Sequence, residues 1–82
     1  MMTDEQLKAK GWSVPIYKAV HAAGGPLPVA YAFGMKSVQG VKFWYERRQL
    51  PGRNIAKLCE LGGNVVPVDE IVADLATSRA AA

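Results

Sequence analysis

The sequence predicts a mainly α domain of four to six short helices, and three observations carry that prediction. Apolar residues recur at three- and four-residue spacing along most of the chain, the period of a helix face rather than the alternation of a strand. Glycine and proline fall largely between those periodic segments, where helices stop and start. With 82 residues, half of them hydrophobic, the chain builds one core and has no room for a second.

The elements follow in order. Thr3 and Gln6 have the spacing of a capping box, which opens a brief first helix running to about Lys10. Ser13 caps a second helix, Pro15 sits in its first turn, and Ile16, Tyr17, Val20 and Ala23 give the inward spacing. The pair Gly24–Gly25 stops it. Pro26 and Pro28 lack amide hydrogens, a loss that only the first turn of a helix tolerates, so a third helix starts near Gly25 or Pro26. Val29, Ala30 and Phe33 form its inner face and Gly34 ends it. Ser37 is the natural cap of a fourth helix whose apolar stripe is Val38, Val41, Trp44 and Tyr45. Pro51 is pre-set for a fifth helical start, followed by Ile55, Leu58, Cys59 and Leu61 until "GGN" breaks the run. The last segment is ambiguous: residues 64–68 hold a β-branched run suited to a short strand, and Val68, Ile71, Val72 and Leu75 then resume a helical period. The core is expected over about residues 13–75, with 76–82 as a fraying small-residue tail.

Charge is distributed unevenly. Between Lys36 and Arg53 there are five cations (Lys36, Lys42, Arg47, Arg48, Arg53) against one anion, Glu46, although the whole chain carries only +3. A basic third in a near-neutral chain predicts a polyanionic partner. The lone cysteine, Cys59, forbids an internal disulfide and, among Ile55, Leu58 and Leu61, reads as a small core hydrophobe. The polar start "MMTDEQLKAK" lacks a signal peptide's apolar run, and no apolar stretch reaches membrane-spanning length. The expected location is therefore the cytoplasm. One histidine, His21, one cysteine, no metal-ligand cluster and no phosphate loop argue against an enzyme, a metal site, a cofactor or a small-molecule ligand. Tyr17 and Tyr31 read as aromatics at the rim of the core.

Ala30 followed four places later by Gly34 resembles the core of a DNA-binding helix-turn-helix, where a small residue lets the second helix cross the first. The usual motif has apolar residues six and nine places after that glycine, which here are Gly40 and Phe43. A turn longer by one residue puts Val41 and Trp44 there instead and yields one coherent apolar stripe, so the longer turn is the better reading. The segments "AAGG", "VAYAFGM", "QGVKFWYERRQLPGRNIAKLCELGGN" and "VPVDEI" resemble the small Cro-like repressors of temperate phages and the YdaS-type Cro-like proteins of prophages. Those proteins share a helix ending in Gly, a compact L-A-x-A-L-G-V helix, Q-x-V-x-x-W on the recognition helix, an arginine-rich exit, x-P, and a Leu-containing helix ending in Gly. The matching residues are Gln39, Val41, Trp44, Arg47, Arg48, Pro51 and Gly62, and the resemblance covers about residues 16–71. The chain departs from the pattern in its longer turn, in Pro28 and in the extension before Ser13.

The resemblance implies a lambda-repressor-like fold and a sequence-specific regulator that binds double-stranded operator DNA as a homodimer in a bacterial cell, associated with the nucleoid. The fourth helix would then lie in the major groove, with Ser37, Val38, Gln39, Lys42 and Phe43 toward the bases. Lys36, Arg47, Arg48, Arg53 and Asn54, in the turn, the helix exit and the following loop, would hold phosphates. One short helix reads too few base pairs for useful specificity, so two half-sites about 34 Å apart and a dimer are expected. Val65, Val66, Val68, Ile71, Val72 and Leu75 are the candidate interface. Two other readings compete: a helical interaction module that inhibits or adapts an acidic protein, and an antitoxin that represses its own operon through the same DNA chemistry.

Overall fold

Except for the fourth, each helix begins at a side chain or a proline that deals with the unpaired amides of its first turn. The computed structural model describes the backbone of residues 2–81 and the side chains of residues 2–77. It contains α1 (Asp4–Ala9), α2 (Val14–Ala22), α3 (Pro26–Ala32), α4 (Gln39–Glu46), α5 (Gly52–Leu61) and α6 (Val68–Ala81). The Thr3–Gln6 capping box is complete: the Gln6 amide donates to Thr3 Oγ1 at 3.2 Å, and the Thr3 amide donates to Gln6 Oε1 at 2.9 Å. Ser13 caps α2 by accepting from the Ile16 amide. Pro26 and Pro28 both fall in the first turn of α3, and Pro51 is the residue that enters α5.

Four helices end in the same way. After α1, α2, α3 and α5, a glycine with positive φ (Gly11, Gly24, Gly34, Gly63) returns its amide to the last turn, and the next residue's amide reaches back one carbonyl further. This is the Schellman arrangement, and it needs a residue without a Cβ penalty. The exit of α4 is the exception, because the left-handed position there is Arg48, at φ 53°.

The core forms around α2, which packs against each of the other five helices. Ile16, Ala19 and Val20 are buried on it, and they meet Val41, Trp44 and Tyr45 from α4, Ile55, Leu58 and Cys59 from α5, and Ile71 and Leu75 from α6. Trp12, Tyr17 and Tyr45 form an aromatic cluster, with the Tyr17 and Tyr45 rings edge to face at 5.2 Å. His21 stacks on Tyr17 at 4.0 Å. At the end of α5, Gly62 lies so close to α2 that a Cβ would stand 3.1 Å from the Ala19 carbonyl oxygen and 3.2 Å from Ala22 Cβ.

Several expectations are corrected. There is no strand at residues 64–68 among the described residues. The Asn64 amide is taken up by the Cys59 carbonyl in closing α5, and an all-helical chain offers that β-branched run no second strand to pair with. Val66, Ile71 and Leu75, expected at a dimer interface, belong to the domain's own core at 4%, 0% and 8% exposure. Of the tail 76–82, expected to fray, residues 76–81 continue α6 and residue 82 lies outside the described residues. Tyr31 is 77% exposed rather than at the core rim, and Leu61 also faces outward. Ser37 does not cap the fourth helix: Val38 occupies the cap position in helical conformation and supplies no side-chain hydrogen bond.

Two stability measurements follow from this packing. Gly62→Ala should cost about 1–3 kcal/mol in chemical denaturation, since the nearest atoms are helix backbone and a neighbouring Cβ that cannot swing away. Burial raises the Cys59 thiol above 9.0, and burial, then Glu46, then Tyr17 raise the Tyr45 phenol above 10.0. Both groups are neutral when protonated, and the unfolded chain ionises first. Their contribution is therefore complete below the ordinary values and is lost as pH climbs through the raised ones. Melting temperature should fall above about pH 9, and Tyr45→Phe should flatten the part of that fall above about pH 10.

Candidate nucleic-acid interface

The site is built on α3, the following turn and α4. Ala30, buried on α3, lets α4 approach, and Gly34 turns the chain out of α3 at φ 67°. The turn runs through Met35, Lys36, Ser37 and Val38 before α4 begins at Gln39. The longer turn and its register are therefore as expected: Val41 is fully buried and Trp44 is 5% exposed. Phe33 meets Trp44 edge to face at 5.0 Å, which fixes the crossing of the two helices.

Met35 explains why a glycine stands inside α4. A Cβ on Gly40 would come within 2.3 Å of the Met35 methyl, so the thioether lies across the gap that Gly40 leaves. Met35 packs against the core from the turn and supplies apolar bulk where the usual motif has it on the recognition helix. Lys57 of α5 braces the C-terminal end of α3. Its ammonium donates to the Ala32 carbonyl at 2.8 Å and lies 4.7 Å above the Phe33 ring. A lysine on the last carbonyls of a helix also complements the helix dipole.

With Val41, Trp44 and Tyr45 turned inward, α4 presents Gln39, Lys42, Phe43 and Arg47 outward. Gln39, Phe43 and Arg47 lie four residues apart on one ridge. Gln39 and Arg47 are exposed; Lys42 and Phe43 are half-buried. The Arg47 guanidinium carbon stands 4.0 Å over the centre of the Phe43 ring. In the turn, Lys36 and Ser37 are exposed, whereas Val38 is half-buried and packs against the core, so it is not a free apolar contact for a base. Arg53 and Asn54 stand in the first turn of α5 rather than in a loop, on an element separate from the α4 ridge.

Arg48 is a correction. Its guanidinium donates to Asp74 Oδ2 of α6 at 2.6 Å and to the Trp12 carbonyl at 3.4 Å, so its charge is neutralised inside the domain rather than offered to a phosphate. The same Asp74 oxygen accepts from the buried Ser13 hydroxyl at 2.6 Å, and the Ser13 amide donates to the Tyr45 carbonyl at 2.7 Å. One clasp thus joins the exit of α4, the start of α2 and the middle of α6. Sequence reasoning missed Asp74 and Lys57 because their partners lie 61, 26 and 25 residues away, and no local pattern marks such pairs. Gly40 was a usable signal: a glycine beside the inner stripe of an amphipathic helix implies that another side chain fills its place.

No protein-family model, curated protein or solved structure gives a significant match to the chain.

Asp74→Ala should lower stability by about 1–3 kcal/mol, because it strands the Arg48 charge and removes the acceptor of a buried hydroxyl. Denaturant melts of Asp74→Ala, Arg48→Ala and the double variant should show the two losses to be strongly non-additive.

Proposed function

We propose that this chain is a sequence-specific DNA-binding transcriptional regulator of the Cro-like kind, occupying a palindromic operator. The observation that carries the reading is the two-sidedness of α4. Its inner face is locked by Val41, Trp44 and Tyr45, while its outer face offers Gln39, Lys42 and Arg47 between the exposed cations Lys36 and Arg53. The major groove admits an α-helix, and a glutamine there makes a paired hydrogen bond to adenine N6 and N7. Lys42 reaches guanine O6 or N7 or a phosphate, and Ser37 approaches at the entrance of the helix. Lys36, Arg47, Arg53 and Asn54 are the phosphate-holding set, without Arg48. The acidic residues favour this polarity: five of the seven, Asp4, Glu5, Asp69, Glu70 and Asp74, lie on α1 and α6, while Glu46 closes α4 and Glu60 stands on α5.

Specificity calls for two half-sites, and the apolar residues that remain for a symmetric contact are Val65, Val68 and Val72, at 72%, 38% and 49% exposure. The same chemistry serves a phage repressor or a self-repressing antitoxin in the bacterial cytoplasm. Leu27 and Tyr31, 56% and 77% exposed on α3, favour a second reading as a module that grips an acidic protein through its helix pair. Among the described residues, no helix is long and apolar enough to cross a membrane.

Selection of bound sequences from a random duplex pool tests the reading and should return a palindrome. Affinity should fall steeply with salt, by about 0.9 in log K per log salt for each phosphate contacted. Gln39→Ala should relax the preference at one base pair per half-site by about 1–3 kcal/mol. Equal affinity for every duplex would contradict sequence-specific regulation, and loss of an acidic protein partner on reversing Arg47, with DNA binding unchanged, would favour the second reading.

A further inference from the structure

The ridge of α4 holds an arrangement that the sequence reading did not assign. Phe43 was expected to face the bases, yet its ring is half-buried and the Arg47 guanidinium stands over it, 4.0 Å from the ring centre. Helical side chains lean toward the N-terminus, so a residue in the last turn lies back over the one four places earlier. Arg47 is exposed, and among the described residues it makes no ion pair; neither Glu46 beside it nor Asp74, which takes Arg48, is its partner.

Resting on the DNA-binding reading, we infer that Phe43 is a positioning residue: its ring is the platform that holds Arg47 flat for one backbone phosphate, and it does not itself read a base. A guanidinium stacked on a ring keeps its in-plane N–H donors directed outward, the geometry that meets two phosphate oxygens together. An arginine with no such contact loses more rotamer freedom on binding than one whose guanidinium already rests over a ring. The phosphate is favoured over guanine because Arg47 sits at the exit of α4, while the bases are met by the N-terminal part of a recognition helix. The stacking also explains a bulky aromatic on the outer face of the helix, where a solvated residue would otherwise be expected.

The test is a double-mutant cycle on duplex DNA with Phe43→Leu, Arg47→Ala and the double variant, read against both a selected duplex and a scrambled one. Phe43→Leu keeps apolar bulk and removes the ring; it should weaken both duplexes by the same factor, roughly two- to five-fold. Arg47→Ala should reduce the salt slope by about 0.9. In the Arg47→Ala background Phe43→Leu should have no further effect, and Phe43→Trp should bind like the unaltered protein. Full additivity of the two variants, or a Phe43→Leu loss confined to one base pair of the selected duplex, would overturn the platform role and make Phe43 a direct contact. An Arg47→Ala loss confined to one base pair would overturn the phosphate assignment. If the unaltered chain binds no duplex at all, the DNA-binding reading itself fails, and this inference with it.

Discussion

The fold turns on one hydrogen-bonded clasp, in which Asp74 receives both the Arg48 guanidinium and the Ser13 hydroxyl. Ser13 begins α2, Arg48 leaves α4, and Asp74 sits in α6, so three helices that are distant in sequence meet at one carboxylate. The clasp matters because Arg48 stands in the left-handed region, at a cost of about 1–2 kcal/mol for a residue with a Cβ. Every other helix that exits through a left-handed residue immediately past its cap uses glycine. Here the charge-assisted bonds of a partly buried pair offset the strain, and the left-handed step sends the chain toward Leu50 and α5 at a fixed angle. The orientation of α4, and so of its outward ridge, depends on this point and on the Phe33–Trp44 contact with α3.

The turn between α3 and α4 shows how a longer connection is accommodated without loss of packing. Its additional residue moves the helix start, and the position that usually carries apolar bulk becomes Gly40. Met35 then comes back from the turn to fill the space, using the flexibility of a thioether to fit an irregular gap. The apolar stripe Val41, Trp44 and Tyr45 is undisturbed, and Gln39, Phe43 and Arg47 are left as one external row. A cation inside the domain and a cation on its surface therefore stand side by side at residues 48 and 47, with opposite fates set by the left-handed step between helix and loop.

What was legible in the sequence is what local physics governs. The capping box at Thr3, the Ser13 cap, the prolines in the first turns of α2 and α3, and the glycine exits each concern a few adjacent residues and were read correctly. So was the register of α4, because only one register gave a coherent apolar stripe. Ser37 fooled the reading because Val38 is already helical, and a cap rule fails when the chain winds up one residue early. Val66, Ile71 and Leu75 looked surplus to a small core, but α6 returns to pack on α2 and α5, a long-range event that periodicity cannot announce. The same limit hid the clasp. In the candidate site, the outward placement of Gln39, Lys42 and Arg47 was legible because they lie on the face opposite the stripe, whereas the pairing of Arg48 depended on a carboxylate 26 residues away.

The central claim is that the outward ridge of α4 is the surface that meets DNA. Amide chemical-shift mapping of the labelled protein against a short duplex at low salt tests it most directly, since it reports the surface without needing the operator. The account predicts shifts concentrated from Lys36 to Arg47 and at Arg53, with α1 and the exposed face of α6 silent. Shifts centred on α1 or α6, or none at a duplex concentration that should saturate non-specific binding, would contradict it.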